Sequence, residues 1–103
     1  MVRIIDEQGF ELQAKKGLAL VDFNAAWCGP CQMLGPVLES LSEKPEGKMD
    51  FYSINVDDNQ RLAMEYAVSS IPALLIMKDG VKLDMIVGFM PESALLEKLK
   101  AYI

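Results

Sequence analysis

The chain has no histidine, only two cysteines, a single tryptophan and no long apolar run. Each shortage excludes something. Without histidine, imidazole acid–base chemistry and histidine-based triads are ruled out, and the usual zinc ligand is missing. Catalysis is thereby narrowed to carboxylates and thiols. No apolar stretch approaches the ~20 residues needed to span a bilayer. The opening Met1-Val2-Arg3-Ile4-Ile5-Asp6-Glu7 also lacks the apolar core of a signal peptide. A cytoplasmic protein with no membrane partner is expected, in a compartment where paired thiols are usually reduced, catalytic or metal-bound. Basic residues are few as well: ten Lys and Arg against fifteen Asp and Glu, a net charge of −5. They are scattered, the closest groupings being Lys15-Lys16 and Lys98/Lys100. Nucleic-acid binders concentrate Lys and Arg, so no nucleic-acid partner is expected.

What is present points to one folded domain covering residues 1–103, half of it apolar and a quarter charged. A chain of this length can bury a core without covalent staples, so the cysteines need not serve stability.

Val2 to Ile5 is β-prone, and Asp6 can cap a helix running to about Lys16, with Gly17 at the stop position. Leu18 to Phe23 has the composition of a buried strand, apolar on both faces except at Asp22. After the cysteines, Leu34, Val37, Leu38 and Leu41 mark one face of a helix to about Lys44, with Pro36 inside it. Met49 to Val56 is a second strand, and Asp57-Asp58-Asn59 offers caps for a short helix near Arg61–Tyr66. Ala73 to Met77, the turn Lys78-Asp79-Gly80, and Val81 to Val87 form a hairpin pattern. A last helix opens at Pro91 with the stripe Leu95, Leu96, Leu99 and Tyr102. The order βαβαβαββα predicts an α/β fold, a mixed sheet with early strands parallel and helices on both faces.

The cysteines stand as Trp27-Cys28-Gly29-Pro30-Cys31, between a strand end and a helix start. Two thiols without histidine cannot complete a closed four-ligand zinc site, so no metal is expected. A structural disulfide closing so short a loop gains little. Sulfurs at i and i+3 of a first helical turn, however, can bond and separate with little backbone movement. At the helix N-terminus, free N–H groups and the dipole favour a thiolate on Cys28. Cys31, one turn further in, is expected to be more buried and less reactive. Cys28 then attacks a substrate disulfide, and Cys31 resolves the mixed disulfide. Gly29 leaves room for a substrate chain, and Pro30 suits the first turn.

The segment Val21-Asp22-Phe23-Asn24-Ala25-Ala26-Trp27-Cys28-Gly29-Pro30-Cys31 resembles the active-site segment of the thioredoxin family. Pro36, Ser70-Ile71-Pro72-Ala73 and Val87-Gly88 resemble that family's helix kink, cis-proline loop and glycine loop. The resemblance implies the thioredoxin fold, a central mixed sheet of five strands flanked by four helices. It implies a protein-disulfide reductase cycling between the Cys28/Cys31 dithiol and disulfide and re-reduced by a thioredoxin reductase. No bound cofactor is needed, because the cysteine pair carries the electrons. Asp22 is implied as general base for Cys31, and burial in an apolar strand raises its pKa. Trp27, Ile71, Pro72, Val87 and Gly88, bordered by Phe89, are implied to form a shallow apolar platform. Such a platform suits extended, disulfide-containing protein substrates, and its need for access favours a monomer.

Four positions depart from the common family pattern. Ser53 replaces a lysine near the buried aspartate, Asn24 a tryptophan, Gln32 a basic residue and Ala73 a threonine. Loss of the positive neighbour at Ser53 is expected to push Asp22 higher still. Two other readings stay open at this point. One is an oxidase or isomerase on the same fold, against which Gly29-Pro30 speaks. The other is a redox-switched binding module or subunit without turnover.

Overall fold

The computed structural model describes residues 1–44 and 48–103. The strands are β1 (Val2–Ile4), β2 (Leu18–Asn24), β3 (Asp50–Asn55), β4 (Ala73–Lys78) and β5 (Val81–Val87). They form one sheet in the order β1-β3-β2-β4-β5. β1 and β2 run parallel to β3, whereas β2 with β4 and β4 with β5 are antiparallel. The expected fold class and element order are those observed.

Period-two alternation decides what each strand shows to each side. Ala19, Val21 and Phe23 of β2 join Tyr52, Ile54, Leu75 and Met77 in one apolar layer. That layer packs on α1 (Glu7–Gly9) with its continuation Phe10–Ala14, and on α3 (Gln60–Glu65). Leu20, Phe51, Leu74 and Ile76 face the other way. They pack on α2 (Gly29–Ser42) and α4 (Glu92–Leu99) through Leu34, Leu38, Leu41, Leu95 and Leu99. Of the stripes expected on α2 and α4, these five leucines are buried, whereas Val37, Leu96 and Tyr102 are half-buried against the same layer, Tyr102 beyond the end of α4; Pro36 lies inside α2.

Two local expectations are corrected. The first helix does not run as one α-helix to Lys16: after Gly9 it widens into a π-helical turn over Phe10–Ala14, with Phe10 and Ala14 fully buried. Asp6 caps it as expected, accepting from the Gly9 N–H at 2.8 Å.

The second correction concerns α3. No side chain of Asp57-Asp58-Asn59 caps it. Asn59 is buried and turned elsewhere, accepting from the Glu7 N–H at 3.0 Å and donating to the Asn55 carbonyl at 2.9 Å. Glu7 supplies the cap instead: its Oε1 accepts from the Leu62 N–H at 3.2 Å, and its Oε2 meets Arg61 at 2.9 Å. A carboxylate at a helix N-terminus satisfies orphan donors and favours the dipole whether or not it comes from the same helix.

The β4–β5 hairpin turns through Asp79 (φ 50°) and Gly80 (φ 84°), the left-handed pair of a two-residue type I′ turn. No helix among the described residues is long and apolar enough to cross a membrane.

Candidate active site

The α2-facing side of the sheet changes character along the strands. On β2 the inward positions run Leu20, Asp22, Asn24; on β3, paired in register, they run Phe51, Ser53, Asn55. Apolar residues thus give way to polar ones toward the strand ends, beneath the start of α2. The chain leaves β2 at Asn24, turns through Ala25, Ala26 and Trp27, and enters α2 at Cys28.

Cys28 is the N-cap, with extended backbone (φ −90°, ψ 110°), and Pro30 lies in the first turn, where its missing N–H costs nothing. Cys28 Sγ accepts the Cys31 N–H at 3.2 Å. The two cysteines are joined in a disulfide with Cα atoms 5.2 Å apart, the reach of one helical turn. A Cβ added at Gly29 would meet nothing within 4 Å, so that side of the turn is open.

The expected difference in burial between the cysteines is absent, their exposures being 5% and 6%. What differs is their surroundings. Cys28 Sγ lies 3.9 Å from the Ile71 carbonyl oxygen, on the side of the cis-proline loop. Cys31 lines a cleft of about 610 Å³ between α2 and the sheet, together with Asp22, Asn24, Gln32, Glu39 and Ser53.

The Ile71–Pro72 peptide is cis. The Gly88 N–H donates to the Pro72 carbonyl at 2.8 Å, tying the loop after β5 to the loop before β4. Gly88 has φ 97°, a conformation that a side chain disfavours. Trp27 and Val87 are 70% and 57% exposed, and Phe89 is also exposed. Ile71 and Gly88 are half-buried, and Pro72 is buried beneath them rather than presented at the surface. Trp27 Nε1–H donates to Asp57 Oδ2 at 2.8 Å, a partner that sequence reasoning missed because thirty residues separate the two.

Asp22 is 4% exposed. Burial pushes its carboxyl up to about 6, and the hydrogen bond from Asn24 works against that rise. Its Oδ1 is buried with no hydrogen-bond partner among the described residues. Gln32, in place of a cation, donates to the Ala26 carbonyl at 2.8 Å and braces the loop before Trp27. Among the described residues, no three His, Cys, Asp or Glu side chains cluster as a metal site.

A cysteine pair capping a helix, a buried carboxylic acid beneath it and a cis-proline loop beside it form a constellation with known counterparts. The thioredoxin family model matches residues 2–101. A thioredoxin of Staphylococcus aureus (strain COL) is 44% identical over 103 residues, covering 100% of this chain and 98% of its own. Among solved structures, a mutant thioredoxin from Halobacterium salinarum NRC-1 superposes with a TM-score of 0.85 at 36% identity. The match covers 97% of this chain and 88% of that one. The thioredoxin of Malassezia sympodialis superposes with a TM-score of 0.88 at 35% identity, covering 99% and 90%. The chain therefore belongs to the thioredoxin family and is a thiol–disulfide oxidoreductase of the protein-disulfide reductase kind.

Proposed function

We propose that Cys28 is the attacking sulfur, Cys31 the resolving sulfur and Asp22 the base that serves Cys31. The observation that carries this assignment is the Cys31 N–H directed at Cys28 Sγ from 3.2 Å. In the reduced protein the same N–H and the helix dipole stabilise a thiolate on Cys28, which lowers its pKa and makes it the nucleophile. The Cys28 thiolate attacks one sulfur of a substrate disulfide, forming a mixed disulfide and expelling the other substrate sulfur as thiolate. Cys31 then passes its proton toward Asp22 and attacks Cys28 Sγ. The second substrate sulfur leaves, and the Cys28–Cys31 bond remains. Two electrons have passed from the protein dithiol to the substrate.

Extended segments of protein substrates dock on Trp27, Ile71, Val87, Gly88 and Phe89, with the Ile71 backbone available for pairing. Pro72 supports them from below. The protein acts as a single-domain cytoplasmic monomer without a bound cofactor, and a thioredoxin reductase returns it to the dithiol. Reduction of a model protein disulfide by dithiothreitol tests the reading. Catalytic amounts of the protein should accelerate it, and Cys28→Ser should abolish the acceleration; a rate unchanged by the protein sinks the proposal.

A further inference from the structure

Asn24 is the polar side chain that touches Asp22 and that the mechanism leaves unused. Its Nδ2 lies 3.1 Å from Asp22 Oδ2, 3.1 Å from the Asp22 carbonyl oxygen and 2.7 Å from Ser53 Oγ. A carbonyl and an ionised carboxylate only accept hydrogen bonds, so the atom facing them is the amide NH2 and not the amide oxygen. The two oxygens of Asp22 are thereby made unequal. Oδ2 is held as an acceptor, while Oδ1 has no hydrogen-bond partner among the described residues. A proton taken up by Asp22 therefore goes to Oδ1.

The surroundings leave this work to Asn24. The other ionisable side chain lining the cleft in the oxidised protein is Glu39 on α2, Cys31 titrating only once reduced. β3 contributes Ser53 and Asn55, β1 contributes Val2 and Ile4, and the register partner on β4 is Leu74, all uncharged. Glu39 itself is engaged at the rim, 3.8 Å from the N-terminal ammonium and 3.3 Å from the Val2 N–H. Among the described residues, no Lys or Arg lines the cleft.

We infer that Asn24 is a positioning residue of the redox cycle: clamped between Asp22 and Ser53, its amide fixes Oδ2 and reserves Oδ1 for the proton exchanged with Cys31. The inference rests on Asp22 being the base for Cys31. An amide donor favours the carboxylate without bringing a charge of its own. It moderates the effect of burial and leaves the acid able to titrate close to neutrality.

The test follows the Asp22 carboxyl by carbon-13 NMR of the oxidised protein, beside the pH profile of mixed-disulfide resolution. Wild type, Asn24→Ala and Ser53→Ala are compared. In Asn24→Ala the Asp22 midpoint should rise by about one pH unit, a roughly tenfold loss of ionised Asp22 on the acid side. The resolution profile should move with it, and the rates should converge above the new midpoint. Ser53→Ala should shift both the same way by less, because the amide then has one anchor fewer. If Asn24→Ala does not fold, Ser53→Ala decides alone by whether the midpoint rises.

An unmoved midpoint, with Asp22→Asn still slowing resolution, overturns the inference about Asn24 and leaves Asp22 as base. A midpoint that moves while the resolution profile stays put removes Asp22 from proton transfer, and with it the redox role of Asn24.

Discussion

Trp27 is tethered to Asp57, its indole N–H held at 2.8 Å by a carboxylate in the segment that follows β3. The ring remains 70% exposed, so the tether orients it without covering it. On the docking surface proposed above, a charge-assisted hydrogen bond on an exposed ring acts by preorganisation, sparing the ring some ordering cost on binding. Asp57→Ala should raise KM for a protein disulfide about fivefold, equivalent to ~1 kcal/mol, with kcat within about twofold. Steady-state kinetics checks this, and the fluorescence anisotropy of the single tryptophan should fall in parallel. An unchanged KM would show that the tether has no part in docking.

The two cysteines are separable by trapping. Cys31→Ser should accumulate mixed disulfides with protein substrates on non-reducing gels, because attack proceeds and resolution does not. Cys28→Ser should accumulate none. The reverse pattern would mean that the roles are exchanged.

Asp22 carries a pH signature in stability as well as in rate. Its carboxyl stands at about 6 when folded, against 3.8 for an unperturbed group. Because the folded value is raised, the native state holds the proton more tightly than the unfolded chain. The group's contribution is thus most favourable below about pH 4 and is lost as pH rises through about 6. Two units at 1.36 kcal/mol each make roughly 3 kcal/mol the upper bound of that loss. Asp22→Asn should therefore stabilise the oxidised protein by about 1–3 kcal/mol at pH 8, with the gain vanishing near pH 4. The amide's own unsatisfied N–H keeps the gain below the bound. Urea titrations at both pH values measure this. The same variant should slow resolution near neutral pH, and an unchanged rate would remove Asp22 from the mechanism.

Glu7 caps a helix that begins more than fifty residues later, through the Leu62 N–H and the Arg61 guanidinium. Glu7→Ala should cost about 1 kcal/mol in chemical denaturation, the usual worth of a lost cap. Glu7→Gln retains an acceptor and should recover part of it. A loss no larger than for a surface glutamate such as Glu97, which is paired with Lys100, would show that the cap is idle.

The parts of this architecture legible in the sequence were those governed by local pattern. The apolar run of β2, the leucine spacing of α2, the turn at Asp79-Gly80 and the cysteine pair at a helix start each follow from neighbours in the chain. The burial of Asp22 was legible for the same reason, because its flanking residues are apolar. What escaped were contacts made across the sheet or between helices. Ser53 was placed near Asp22 through the family pattern, but Asn24 stood out only as a departure from it, and the amide that joins Asp22 to Ser53 became visible with the strand register. The cap on α3 was assigned to residues adjacent to it, yet the side chain that serves comes from α1. The supposed difference in burial between Cys28 and Cys31 failed because residues distant in the chain, Val56 and Ile71, pack against the pair and cover Cys28 as well as Cys31.

The strand order leaves β1 and β5 as the two unpaired rims of the sheet. β1 is only three residues long and carries Arg3, beside an Ile4 that is 86% exposed. β5 places Lys82 between the exposed Val81 and Leu83, and its pairing with β4 shifts register between Ile76 and Met77. Short length, charge and a break in register are the means by which native sheets discourage strangers from extending them. A protein that acts on the disulfides of other proteins meets foreign chains repeatedly. In this one, the invitation to extend the sheet is withheld at both of its ends.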